Sequence, residues 1–335
     1  MTESDDQKLE QLVRRAGRRT PLPEDVRSRF EESFKKELLI TRKRRLRHRL
    51  QFTSAIAASL VLAVILVLVR NQPMEVEIIA AVERSHGQTF WQRDDEGGPL
   101  RSGNRIQPND NIRTSAGSLA IRPSGTSIDV RLNHMTEIEF VNGRSMRLIK
   151  GSVYIDAPIS KLKAGSGHQP FTTLVNGIAV DHIGTQYLVS STELGISIAV
   201  REGEVLIETD QQRHRSRAYD NGGELVEFHD DHSFTRTKIM TYGERWAWAN
   251  TLAPDIETDG MYLADFLDWV ARETGFTIAY ASSDIMQVVQ SKGEDKVVLI
   301  GSHRTEDVFK ALGDTMRTTQ FSASIEEGVI TIQYP

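Results

Sequence analysis

His229-Asp-Asp-His232 is the densest run of metal-ligating side chains in the chain. Imidazole and carboxylate both suit zinc. Four successive residues at a strand end cannot all point one way, so at most two would reach one ion. A solvated turn is the competing reading, and the expectation is no resident metal, with His229 and His232 as the residues to check. Ser160-Lys-Leu-Lys163 has the Ser-x-x-Lys spacing of an acylating serine. It lies in a Gly/Lys/Ser-rich loop rather than at a helix start, and no Lys-Thr-Gly follows. His182 stands beside Asp181 in an alternating run and reads as the polar face of a strand. Asp284, Glu294 and Asp295 read as solvated loop charges. Cysteine is absent, which removes disulfides, thiolate metal sites and thiol nucleophiles together. His-Glu-x-x-His, Gly-x-Ser-x-Gly and the P-loop spacing do not occur. The expectation is a protein that is not an enzyme and takes no cofactor.

Something other than chemistry must then account for 335 residues with 39% hydrophobic content. Residues 1–50 hold 15 Lys/Arg against 9 Asp/Glu, leaving 26 against 37 for the rest. An acidic remainder without a basic stripe argues against nucleic acid there. Between them, Phe52–Val69 contains no charge, Pro, Gly or amide. Eighteen residues at about 1.5 Å each cover roughly 27 Å, close to the bilayer hydrocarbon core. Arg42, Lys43, Arg44, Arg45, Arg47 and Arg49 precede this run and only Arg70 follows closely. The positive-inside bias predicts a retained inner-membrane anchor with a cytoplasmic N-terminus and a periplasmic C-terminal region. Within residues 1–50, Val26, Phe30, Phe34 and Leu38 recur every four residues as an amphipathic stripe. It would pack on a cytoplasmic partner, pair with itself in a homodimer, or lie on anionic lipid.

Residues 75–240 read as all-β, with short alternating runs between Gly, Asn, Asp and Pro clusters. Glu75–Ala81, Met146–Ile149, Ser152–Ile155, Ile178–His182, Gln186–Ser190, Gly195–Val200 and Glu204–Glu208 are among the predicted strands. Asn142-Gly143 and Glu202-Gly203 are predicted hairpin turns. A sandwich, barrel or short β-solenoid is the expected form. Residues 256–335 switch to α/β. Leu263, Phe266, Leu267 and Val270 predict a helix ending near Gly275; Phe276–Tyr280 and Val297–Ile300 predict strands. Val308, Phe309, Leu312 and Met316 predict a second helix, and Glu327-Gly328 closes a final hairpin. The predicted order is βαβ-βαββ. Residues 241–255 form a joint containing Trp246 and Trp248, which either pack there or offer an aromatic contact to a partner.

With these elements laid out, the chain resembles the FecR family of bacterial membrane regulators. The residues that carry the likeness are Asp110-Asn-Ile-Arg-Thr114, Gly117–Thr126, Leu148–Tyr154, Pro170-Phe-Thr-Thr173, Gly184-Thr-Gln-Tyr-Leu-Val189 and Val200-Arg-Glu-Gly-Glu-Val205. Gly184, Thr185, Tyr187, Glu202 and Gly203 are the motif positions proper. Leu263–Phe276 and Thr305–Leu312 resemble the short N-terminal domain of secretins and TonB receptors, which often follows FecR domains. The likeness implies a mainly β protein with one transmembrane helix. Its periplasmic part would sense a protein partner, an outer-membrane receptor or a secreted component, and relay to an ECF-type sigma factor or an associated component. Many FecR-type proteins hold the sigma factor with a Trp-containing cytoplasmic domain, and residues 1–50 contain no Trp. The alternative is a non-signalling periplasmic scaffold or cell-wall binding protein.

Overall fold

The computed structural model describes residues 77–157, 170–210, 212–229, 233–291, 297–300 and 307–335, with short stretches between 10 and 35. The chain divides into two compact units, Met1–Glu75 and Val76–Pro335. In the first, residues 10–15 and 24–26 are helical. Val26 is exposed, and its N–H reaches the Pro23 carbonyl at 3.0 Å. Phe30, Phe34 and the uncharged run 52–69 lie outside the described residues. Among the described residues no helix is long and apolar enough to cross a membrane.

The second unit is mainly β. Its first strands are β1 (Ala80–His86), β2 (Thr89–Arg93), β3 (Glu96–Pro99), β4 (Arg105–Ile106), β5 (Asn111–Thr114), β6 (Ser118–Pro123), β7 (Asp129–Leu132) and β8 (Glu137–Asn142). There follow β9 (Ser145–Ala157), β10 (Thr172–Val175), β11 (Ile178–Thr192), β12 (Gly195–Glu208), β13 (Arg213–Arg217), β14 (Gly223–Phe228) and β15 (Phe234–Ile239). All fifteen join one branched sheet, whose main path runs β15-β14-β12-β11-β10-β9-β7-β6-β1-β4. The long strands make the branches. The first half of β9 pairs with β8 and, in parallel, with β10, while its second half pairs with β7 and β11. A single hydrogen-bonded net therefore joins all fifteen strands. One core, including Ile112, Leu119, Val130, Phe140, Val153 and Val189, fills it.

Several predicted boundaries change. The first described strand starts at Ala80, with residues 77–79 of the predicted Glu75–Ala81 outside it. Predicted pairs of short strands fuse into β9, β11 and β12. Glu202-Gly203 is not a hairpin turn: it lies inside β12, opposite a β-bulge in β11. Asn142-Gly143 does sit at a turn, between β8 and β9. The charged strands β13 and β15 have no hydrophobic alternation to reveal them. They are held by cross-strand ion pairs, Arg213–Glu208 at 2.7 Å, Arg215–Glu204 at 2.9 Å and Arg236–Glu224 at 3.1 Å.

Glu224 is the buried member of this set. Its carboxylate accepts from Ser216 Oγ at 2.7 Å, Tyr219 Oη at 2.9 Å and Arg236 Nη1 at 3.1 Å. Burial works to raise its pKa, and these partners more than reverse that, holding it below the usual carboxylate value. A depressed carboxylate contributes stability above its unfolded pKa and loses it as pH falls through the folded one. Glu224→Gln should therefore flatten the fall in stability below about pH 4.3, read from urea midpoints across an acid series. An unchanged slope would remove Glu224 from that role.

The C-terminal part contains α1 (Glu244–Asn250), α2 (Leu263–Thr274), β16 (Thr277–Tyr280), α3 (Ser283–Gln290), α4 (Val308–Arg317), β17 (Ser322–Glu326) and β18 (Val329–Gln333). Its sheet has three strands in the order β16-β18-β17, β16 and β18 being parallel. Glu327 and Gly328 take positive φ in a two-residue turn, the hairpin the sequence predicts. The βαβ-βαββ expectation is corrected at Val297–Ile300. That run makes only an isolated bridge, Val298 to Tyr262. Val298 and Ile300 are exposed while Leu299 is buried in the core, and the Leu299 N–H bonds to the Met261 carbonyl at 2.8 Å, so the run lies against residues 260–263 and not in the three-stranded sheet. Helix α3 escaped the sequence reading; Ser282 caps it, its Oγ accepting from Ile285 N at 3.4 Å.

Candidate functional site

Strand register assembles the most unusual feature of the second unit. Arg131 pairs with Tyr154, Tyr154 with Leu188, Leu188 with Ala199, and Ala199 with Leu225. Side chains directly opposite share a sheet face, so these five make a row across β7, β9, β11, β12 and β14. Their sequence neighbours Val130, Val153, Val189, Val200 and Val226 point into the main core. The row itself packs against Trp246 and Ala249 of α1. Trp246 is buried, meets Tyr154 edge-on at 6.3 Å, and donates from Nε1 to the Met240 carbonyl at 3.0 Å. It is therefore not an exposed partner contact. Trp248 is half-buried against the same cluster.

Charges are buried at this joint. Arg131 is 0% exposed. Its Nε donates to Asp129 Oδ2 at 2.7 Å and its Nη1 to the Ala249 carbonyl at 2.8 Å. Glu273 of α2 lies 2.8 Å from the same Nη1 as an ion pair, and Tyr154 places its ring 5.1 Å from the guanidinium. Arg84 donates to the Leu252 carbonyl at 2.9 Å and to Asp129 at 3.3 Å. Arg201 stacks on Trp246 at 5.4 Å and donates from Nη2 to the Glu273 carbonyl at 3.0 Å. Arg272 of α2 donates to Glu202 at 2.7 Å and also grips Asp156.

The electrostatics follow from burial against partners. Burial pulls the Arg131 pKa down, but Glu273 and Asp129 outweigh it and hold it well above the ordinary arginine value. Arg272 behaves alike, burial being outweighed by Asp156 and Glu202. Arg201 has only partial compensation, and burial lowers it. Among the described residues Arg131 Nη2 has no hydrogen-bond partner, and the Arg201 guanidinium has little beyond the Tyr154 hydroxyl and the Glu273 carbonyl. A buried group left without a partner carries a desolvation cost of about 1–3 kcal/mol.

Four of the family-like motif residues, Gly184, Thr185, Glu202 and Gly203, support this joint. Thr185 Oγ1 donates to the Glu204 carbonyl at 2.5 Å and accepts the Glu204 N–H at 3.2 Å. Gly203 sits against Gly184. This bulge presents Glu202 to Arg272, and Gln186 Nε2 steadies Asp156 at 3.0 Å. Tyr187 is buried in the main core with its hydroxyl 3.3 Å from Thr173 Oγ1, and burial raises its pKa. Asp129-x-Arg131, two charges flanking a core valine, was the available signal for the joint. The sequence reading missed it.

A second feature is an open edge. Strand β17 pairs with β18 alone among the described residues. Beside it, between α4 and β17, runs a groove of about 450 Å³ lined by Leu312, Gly313, Met316, Phe321, Ala323 and Ile325. Gly313 lies inside helix α4, and a Cβ there would meet nothing within 4 Å.

Of the two metal candidates, only His229 is among the described residues. His229 is exposed at the end of β14, its N–H bonded to the Ser233 carbonyl at 2.9 Å. His232, Ser160–Lys163, Glu294 and Asp295 lie outside the described residues. Among those described, no group of three His, Cys, Asp or Glu could hold an ion. His182 Nδ1 accepts the Phe171 N–H at 3.0 Å, a structural contact.

No protein-family model matches the chain, and no curated protein matches it. Two crystal structures of a candidate anti-sigma factor from Parabacteroides distasonis are similar to it. They share 13% and 14% identity, cover 67% of this chain and 99% and 98% of their own, and both have a TM-score of 0.33.

Proposed function

We propose that this chain is a non-catalytic, single-pass inner-membrane regulator of the FecR type. Its extracytoplasmic part binds a protein partner, an outer-membrane receptor or a secreted component, and residues 1–50 act on an ECF-type sigma factor or an associated component. The uncharged run 52–69 with its basic flank supports the topology, and the ordered FecR-like motifs support the class. The observation that carries the partner-binding step is the open edge of β17 beside its groove. In a two-residue hairpin Glu326 and Val329 exchange hydrogen bonds, so alternation turns the N–H and C=O of Ala323 and Ile325 outward. An added strand would use those groups and lay alternate side chains in the groove. Gly313 keeps the wall open where a larger helix former would fill it. The buried charges of the joint then tie that event to the large sheet.

Gly313→Leu tests the binding step. Replacing a helix-interior glycine should raise the unfolding free energy by about 0.5–1 kcal/mol, while capture of the partner is lost. Unchanged capture would overturn the edge reading. Replacing residues 1–50 with an unrelated basic anchor tests the relay: target transcription should no longer respond. An intact response would favour a scaffold or cell-wall binding protein instead.

A further inference from the structure

The large sheet ends in a cavity of about 650 Å³ lined by the β10–β11 and β11–β12 turns and by the adjoining ends of β12, β13, β14 and β15. Ile178, Ile196, Phe228 and Phe234 supply its apolar surface. Three rings cluster on one side: His214 lies 4.5 Å from Phe234, and Phe228 lies 5.8 Å from it. Glu193 and Asp210 are exposed at the rim, and among the described lining residues, which include His214 and His229, there is no Lys or Arg. Its volume falls within the range of small-molecule sites.

Two carboxylates without a described Lys or Arg beside them favour a cation over phosphates, nucleotides and carboxylic acids. Aromatic faces carry negative potential and attract a positive charge that also brings apolar surface. Phe234 already carries one such contact inside the protein, with the Arg236 guanidinium 5.4 Å from its ring. We propose that this cavity binds a small organic ammonium ion with an apolar body. The ammonium group would face Glu193 and Asp210, and the body would lie against Phe228, Phe234 and Ile178. This site is separate from the β17 groove and does not depend on the function proposed above.

Three probes of one shape and different charge test it: phenethylammonium, 2-phenylethanol and phenylacetate. Binding to the full chain in a neutral detergent is read by titration calorimetry. Phenethylammonium should bind about tenfold more tightly than the alcohol, and phenylacetate should not bind. Glu193→Gln with Asp210→Asn should reduce the ammonium to the alcohol's affinity. Both positions are exposed, so the unfolding midpoint should stay in place. Phe234→Leu should weaken both the ammonium and the alcohol. Equal affinity for ammonium and alcohol, no effect of the double substitution, or no binding of any probe would overturn the proposal. Binding of N-acetylglucosamine in preference to the ammonium would also overturn it, assigning the cavity to a neutral sugar.

Discussion

Arg131→Ala should lower the unfolding free energy by about 3–5 kcal/mol. The side chain is fully buried and serves three partners at once, Asp129, Glu273 and the Ala249 carbonyl. Alanine leaves all of them in place. Asp129 keeps Arg84 at 3.3 Å, so the larger penalty falls on Glu273, which is 2% exposed and loses its ion-pair partner, keeping only the attraction of Arg201. A buried carboxylate without a partner is the costly half of a broken pair. Arg131→Met combined with Glu273→Leu removes both charges and refills the volume. That double variant should recover most of the lost stability, because the pair's attraction mainly offsets its own desolvation. The single and double variants, compared by urea unfolding, separate an unpaired charge from a lost contact. Arg131 joins β7 to α1 and α2, so the single variant should also split one unfolding transition into two. A loss under about 1 kcal/mol, with a single transition retained, would mean that apolar packing around Trp246 holds the joint alone.

This joint shows where sequence reading reaches and where it stops. The face of α2 was legible because Leu263, Phe266, Leu267 and Val270 recur at helical spacing, and its end at Gly275 was legible as a glycine cap. Gly275 has φ 73, and a Cβ there would fall 2.1 Å from the Thr241 carbonyl and 2.4 Å from Arg201 Nε. The sequence marks the cap but not the arginine packed against it. The row from Arg131 to Leu225 was invisible for a different reason. Each of its strands is buried on both faces, so the alternation that reveals a half-buried strand is absent. Only register shows which residues line up, and register depends on partners distant in sequence. Trp246 illustrates the same limit. Its spacing from Trp248 could not choose between helix and strand, and the helix buries one ring deeply while leaving the other half-covered. Strands β13 and β15 hid behind their charges. Val297–Ile300 looked like a strand because hydrophobic β-formers adjoin there; it does bury Leu299, but its backbone hydrogen bonds run to residues 260–263 and not to the sheet.

Gly203→Ala should be the other severe substitution, costing about 3 kcal/mol or more. Glu202-Gly203 looked like a turn because a glycine follows a charged residue between two apolar runs. In the fold it faces the Gly184-Thr185 bulge across the β11–β12 ladder, where Ile183 pairs with Glu204 and Gln186 with Glu202. Gly203 has φ 73, which costs a side-chain-bearing residue about 1–2 kcal/mol. A Cβ there would also stand 2.1 Å from the Gly184 carbonyl oxygen. Backbone cannot swing aside as a flexible side chain can, so the ladder must open locally. Opening breaks the Thr185–Glu204 hydrogen bonds and moves Glu202 away from Arg272. Gly177→Ala is the control. Its φ is 80, but nothing lies within 4 Å of the new Cβ, so it carries the conformational cost without the overlap. The stability difference between the two variants therefore measures the close approach itself. Hydrogen exchange should speed up at the Glu204 amide in Gly203→Ala and stay slow in Gly177→Ala. Equal losses in the two variants would mean that the bulge relaxes freely, and that the motif glycines serve backbone conformation alone rather than the alignment of Glu202 with α2.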